Sequence, residues 1–120
     1  MIGALFVAVL IGLLAGLIAA LCGVGGGLIM VPAMVYFLGL SQREAIATSL
    51  GSIVLIAMAG TLRNSQNQLV NWPVAISSAL AGALIAWFAA DWIKHLSNES
   101  LSRIFSILLI VMGIKMWFSK

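Results

Sequence analysis

The stretch LCGVGGGLIMVP, residues 21–32, decides how this chain is read. Four glycines fall among the five positions 23–27, and Pro32 closes the run. A glycine costs a helix about 1 kcal/mol relative to alanine. Apolar helix formers flank the run on both sides, so the break is a local event in a strongly helical sequence. Before it, residues 2–22 carry no charge. At about 20 residues they are long enough to cross a hydrocarbon core of about 30 Å as a helix. After it, residues 28–40, LIMVPAMVYFLGL, are apolar but too short to span comfortably alone.

The composition names the solvent. The chain has 120 residues, of which 63% are hydrophobic and 8% charged, with a mean hydropathy of +1.21. A soluble domain is nearer 45–50% apolar and about 25% charged, so these side chains are expected to face lipid. The net charge of +3 rests on six unclustered Lys and Arg, which excludes a nucleic-acid patch. The first charge is Arg43, so the N-terminus lacks the positive region of a cleaved signal peptide and reads as a retained membrane segment. The single cysteine, Cys22, allows no intramolecular disulfide.

Further along, Ser41 and Glu44 form a capping box, opening a third helix over about 42–62. Residues 63–71, RNSQNQLVN, are the most polar stretch and read as a solvated loop. Asn71 is a suitable N-cap and Pro73 fits the first turn, giving a fourth helix over about 72–93. Its ends carry Trp72 and Trp92, about 30 Å apart on a helix, as interfacial belts require. After KHLSNES, with Ser97 or Asn98 as cap, a fifth helix covers about 99–118. The expected fold is a single all-α transmembrane domain over 1–120 with five helical segments and a glycine-rich break between the first two. Rows of small residues, Gly12, Gly16 and Ala20 on helix one and Ser78, Gly82, Ala86 and Ala90 on helix four, with Ala75, Ala79 and Ala83 beside the latter, predict close helix packing.

Counting every segment as a crossing puts Arg43, Lys94 and Arg103 on one side and Arg63, Lys115 and Lys120 on the other. Orientation follows Lys/Arg asymmetry, so a three-to-three split states almost no preference. It allows insertion both ways and an antiparallel pair. If the glycine-flanked piece is instead re-entrant, four crossings remain and the cations redistribute.

Glycines opening a helix expose backbone N–H groups and the positive dipole end, a setting for an anion. Irregular backbone at membrane depth is tolerated where it is buried or lines a wet cavity, and broken helices aimed at a substrate are a recurring transporter device. Pro32 leaves the Leu28 carbonyl without its usual partner. The plain alternative is a tight hairpin or packing notch. Gly25, Gly26 and Gly27 are the candidate backbone donors. Thr48, Ser49 and Ser52 are the candidate hydroxyls, with back-bonding to the preceding turn as their structural alternative. Arg63 is either an attractor at a helix mouth or a surface charge. No charged residue or histidine lies mid-span, so no carboxylate proton relay is visible. His95 reads as interfacial. No residue set supports a metal site, a cofactor or an enzyme.

The order GLIAALCGVGGGLIMVP, GLSQREAIATSL, LVNWPVA resembles the TauE/SafE family of membrane transporters, the sulfite, sulfonate and organosulfur permeases. Gly23, Gly25, Gly26, Gly27, Val31 and Pro32 match its glycine-proline motif, and Ala45, Ala47, Thr48, Ser49 and Leu50 its A-x-A-T-S-L run. Val70-Asn71-Trp72 has Asn where the family has Asp, a neutral change for a helix cap. The resemblance implies transport of a small sulfur-containing anion such as sulfite, thiosulfate or a sulfonate, in a prokaryotic inner membrane. Family members carry two such repeats, so it also implies that two copies of this chain assemble. Cys22, where the family often has a bulky apolar residue, is either a small hydrophobe or a thiol contact for the substrate. Without a buried carboxylate, transport is expected to be uncoupled or to carry a proton on the substrate. The alternatives are a non-transporting membrane assembly subunit and a small dual-topology exporter of another substrate class.

Overall fold

A computed structural model describes residues 1–119. Lys120, counted above among the cations of the second side, lies outside the described residues. The chain folds as α1 (Ile2–Cys22), α2 (Gly27–Leu38), α3 (Gln42–Gln66), α4 (Trp72–Trp92) and α5 (Asn98–Phe118). Four of these are long and apolar enough to cross a membrane, and α2 is not. At 1.5 Å per residue its 12 residues cover about 18 Å, little more than half the hydrocarbon core. The apolar side chains that α1, α4 and α5 turn outward are the surface of an integral membrane protein.

Each long helix after α1 starts where a local cap starts it. Ser41 and Glu44 complete the capping box: the Ser41 N–H donates to Glu44 Oε2 at 2.8 Å, and the Glu44 N–H to Ser41 Oγ at 3.3 Å. Asn71 Oδ1 accepts the Val74 N–H, with Pro73 in the first turn of α4. Ser97, not Asn98, caps α5 by accepting the Ser100 N–H. One boundary differs from the sequence expectation. α3 runs on through Gln66, so Arg63 to Gln66 are helical and not loop. Arg63 Nη1 donates to Gln66 Oε1 at 3.1 Å within that last turn. A polar helical turn is stable once it emerges from lipid, so polarity alone did not mark the helix end.

Packing is uneven. Ile11 and Ala15 of α1, Met30, Val31 and Met34 of α2 and Ala45 of α3 form the core, with Ile53 and Phe105 against it. Among the described residues burial is confined to positions between Ile11 and Ser49, apart from Leu101 on α5. α5 reaches α3 through Leu101 and Phe105. α4 has no buried residue. α1–α3 do pack closely, but through Ile11 and Ala15 and not through the row of Gly12 and Gly16, and α4 buries none of its small residues, so a Cβ at Gly12, Gly16 or Gly82 meets open space. The radius of gyration, 15.4 Å, exceeds the about 14 Å of a compact chain this long.

Arg43 ties two turns to one end of the molecule. Its Nε donates to the Leu96 carbonyl at 3.0 Å, Nη2 donates to the same oxygen, and its N–H donates to Asn98 Oδ1 at 3.3 Å. Arg63 is 20 residues further along α3, about 30 Å away. Arg43, Lys94 and Arg103 thus gather at one end and Arg63 and Lys115 at the other, although α2 is too short to be a crossing.

Candidate functional site

The site is built around the turn from α1 to α2. α1 ends at Gly23, whose N–H donates to the Ala19 carbonyl at 2.8 Å. Gly26 then caps α2 with φ 77°, a left-handed conformation. Its carbonyl accepts the N–H groups of Ile29 and Met30 at 3.1 and 3.0 Å. A Cβ at Gly26 would lie 2.8 Å from the Ala15 carbonyl oxygen and 3.0 Å from Ala15 Cβ. Both the backbone angle and the contact demand glycine there. On the other side, Cβ atoms at Gly25 and Gly27 would meet Ile53 at 3.2 and 2.9 Å. The turn is wedged between α1 and α3, as the packing-notch alternative anticipates.

Those contacts set the level at which α2 begins. Its N-cap Gly26 lies against Ala15 of α1 and its first residue, Gly27, against Ile53 of α3, both in the interior of those helices. From there α2 runs back along the first half of each, its Met30, Val31 and Met34 sharing the core with Ile11, Ala15 and Ala45. Past that level α1 continues to Cys22, about 10 Å, and α3 to Gln66, about 20 Å. Between these two overhangs lies an open crevice of about 410 Å³, with Gly16, Gly25, Gly60, Thr61 and Asn64 among its walls. It is the space a full-length second helix would have filled. Helix starts leave their first N–H groups without intrahelical partners, and no side chain caps α2. Of the turn that leads into α2, Gly23 and Gly25 line the crevice, whereas Gly27 and Leu28 lie outside its lining. Among the described residues none of the crevice walls carries a charge.

The expected site residues are only partly brought together. Gly25 lines the crevice. Gly26 is buried against Ala15, and Gly27 faces Ile53. Cys22 is exposed at the end of α1 and outside the crevice lining. Thr48, Ser49 and Ser52 lie on the part of α3 before Ile53, beside α2, and also outside the lining. Ser49, 3% exposed, donates to the Ile46 carbonyl at 2.9 Å, and Ser52 donates to the Thr48 carbonyl at 3.2 Å. Two of the three hydroxyls thus bond back within their own helix. Arg63 is exposed and paired with Gln66.

Thr61 and Asn64 are the polar side chains of the crevice that sequence reading missed. The signal was present: Ala57, Gly60, Thr61 and Asn64 fall at i, i+3, i+4 and i+7, one helical face. Ending the helix at residue 62 placed Asn64 in a loop and hid the stripe. Gly16, on the small-residue row of α1, forms the opposite wall. Among the described residues no group of three His, Cys, Asp or Glu could hold a metal.

A family model described as Sulfite exporter TauE/SafE matches residues 2–118. A "Probable membrane transporter protein" of Haemophilus influenzae is 31% identical over 117 residues, covering 92% of this chain and 44% of its own length. The "Probable membrane transporter protein YunE" of Bacillus subtilis is 31% identical over 111 residues, covering 89% and 39%. The "Probable membrane transporter protein MJ0441" of Methanocaldococcus jannaschii is 22% identical over 114 residues, covering 90% and 43%. The chain spans less than half the length of these curated relatives. No solved structure matches it.

Proposed function

The chain belongs to the TauE/SafE sulfite exporter family, and from that premise we propose that it moves a small sulfur-containing oxyanion or sulfonate across the membrane, two copies forming one transport unit. The observation that carries the reading is the crevice at the N-terminal end of the half-length α2. An anion entering along α1 and α3 meets the free N–H groups and positive dipole end of α2, close to the level of the Gly25–Gly27 turn. Gly26 lets the turn approach the Ala15 backbone, Gly25 and Gly27 make room for the Ile53 side chain, and the first N–H groups of α2 act as donors. The side-chain donors are the Thr61 hydroxyl and the Asn64 amide. We assign this role to them in place of Thr48, Ser49 and Ser52, because Ser49 and Ser52 already donate within α3. Cys22, outside the lining, takes no part.

The two-copy part of the proposal rests on length and charge. The relatives are more than twice as long as the aligned region, so half of such a protein has no counterpart here. The near balance of Arg43, Lys94 and Arg103 against Arg63 and Lys115, three against two among the described residues, supports a pair in which the second copy is inverted.

The test is uptake of sulfite and thiosulfate into proteoliposomes. A Cβ at Gly60 meets open space, so Gly60→Leu fills the crevice without forcing the helices apart. The expected result is flux at least ten-fold lower with an unchanged melting profile. Asn64→Leu is expected to raise KM for the anion by a smaller factor. Wild-type flux from Gly60→Leu would remove the crevice from the path.

A further inference from the structure

The cations at the two ends of the molecule have different company. Arg43, Lys94 and Arg103 share their end with Glu44, Asp91 and Glu99, which are all three acidic residues of the sequence. Lys94 pairs there with Asp91, and Arg103 with Glu99, so acid and base nearly cancel. Arg63 and Lys115 stand at the opposite end, and among the described residues no Asp or Glu accompanies them. The crevice opens toward that same end, between the overhangs of α1 and α3.

Of these two cations, Arg63 belongs to a crevice wall. Ile56, Ala59, Gly60, Thr61 and Asn64 of α3 are among the lining residues. On a helix Arg63 points within about 40° of both Ile56 and Ala59. It therefore continues their row one turn nearer the mouth, level with its neighbour Asn64. Long side chains on a helix lie over the preceding turn, which here holds Ala59 and Gly60. Ala59 is small, and a Cβ at Gly60 meets nothing within 4 Å, so a guanidinium has room to lie over the crevice. In the structure Arg63 Nη1 instead donates to Gln66 Oε1 at 3.1 Å. That acceptor is neutral and leaves the positive charge uncancelled. The planar fork of a guanidinium matches the oxygens of an oxyanion. Among the described residues no crevice wall carries a charge, so the field at the mouth takes the sign of Arg63.

We infer that Arg63 selects for negative charge at the crevice mouth: it swings from Gln66 to draw an oxyanion in from its own end and hands it to Thr61 and Asn64. The inference rests on the crevice reading above and adds its entrance and the source of its charge selectivity. Thiosulfate, a dianion, and methanesulfonate, a monoanion, are compared as substrates in proteoliposomes and as ligands of the purified protein. In low-salt buffer Arg63→Gln should raise KM and Kd for thiosulfate about five-fold, and less for methanesulfonate, because the attraction scales with the charge of the ligand. The kcat should not change, and Arg63→Lys should restore most of the affinity. The gap between wild type and Arg63→Gln should shrink to about two-fold or less in 1 M salt, where the screening length falls to about 3 Å. Arg103→Gln makes the same charge change at the other end and should leave both constants as they are. Unchanged thiosulfate constants in Arg63→Gln would overturn the inference. So would an equal loss for the two anions, a loss that persists in 1 M salt, or an equal effect from Arg103→Gln. The outcomes separate from those of transport. Thiosulfate binding that weakens in Arg63→Gln, with no flux in wild type, would leave this inference standing and remove the transport reading. Wild-type KM and flux from Arg63→Gln would remove the inference and leave transport. Absence of both binding and flux would remove both.

Discussion

Gly26 and Gly82 are both glycines within the membrane-embedded part of the chain, and they do opposite work. The missing side chain of Gly26 is used at once: the Ala15 backbone sits where its Cβ would be. The missing side chain of Gly82 leaves open space. The same contrast separates the regions around them. α1, α2 and α3 interlock through Ile11, Ala15, Met30, Val31, Met34 and Ala45, whereas α4 hangs between its two turns with every side chain accessible. Small residues permit close packing. They do not by themselves say whether the neighbour belongs to the same chain.

The sharpest way to break this comparison is to enlarge both glycines. Gly26→Leu combines left-handed strain with a clash against backbone, and should cost about 2–6 kcal/mol. Denaturation of the purified protein by sodium dodecyl sulfate, followed by circular dichroism, would measure it. Gly82→Leu in the monomer should be neutral or stabilising by up to about 1 kcal/mol, because glycine is the poorer helix former. A tolerated Gly26→Leu would mean that the turn is not wedged as described.

Next in size is the tie between the two regions. Arg43→Ala removes the guanidinium donors to the Leu96 carbonyl and should cost about 1–2 kcal/mol, the lower part of the range for charged hydrogen bonds at a half-exposed site. Hydrogen exchange should rise at residues 93–98 while protection in α1 and α2 is unchanged. Equal loss of protection in α1 would show that the regions are coupled more closely than their contacts indicate.

A smaller effect sharpens the comparison through one kind of interaction placed in both regions. Ser41→Ala and Asn71→Ala each delete an N-cap, worth about 1 kcal/mol. The first should lower global stability by that amount, since α3 is anchored in the core. The second should only fray residues 71–75, seen as local exchange with an unmoved global transition. Ser49→Ala comes last, at about 0.5 kcal/mol, because it removes a hydroxyl that bonds within its own helix.

The contrast also explains what could be read from the sequence. Caps are local chemistry, so Ser41 with Glu44, Asn71 and Ser97 marked their helices without knowledge of anything distant. The break at residues 23–27 was legible for the same reason. The crevice was less so, because it depends on how far α2 returns along α1 and α3. That distance is fixed by the contact of Gly26 with Ala15 and of Gly27 with Ile53, and nothing in the spacing of the residues announces it. Asn64 lies in the last turn of α3, beyond the expected end at residue 62, so Thr61, inside the expected helix, stood there without the rest of its stripe. Rows of small residues looked alike on α1 and α4, and a Cβ at Gly12, Gly16 or Gly82 alike meets open space; α1 packs through Ile11 and Ala15, off its row.

The short length of α2 has an electrical consequence. Its N-terminus ends inside the membrane, so a charge held there has already passed through part of the transmembrane field before any gate moves. A full crossing is worth about 2.3 kcal/mol per elementary charge at 100 mV. Half of that, about 1.1 kcal/mol, would change the affinity for a monoanion about seven-fold. Binding at the crevice should therefore weaken or tighten with the sign of an imposed potential, and α2 would serve as a built-in measure of electrical depth.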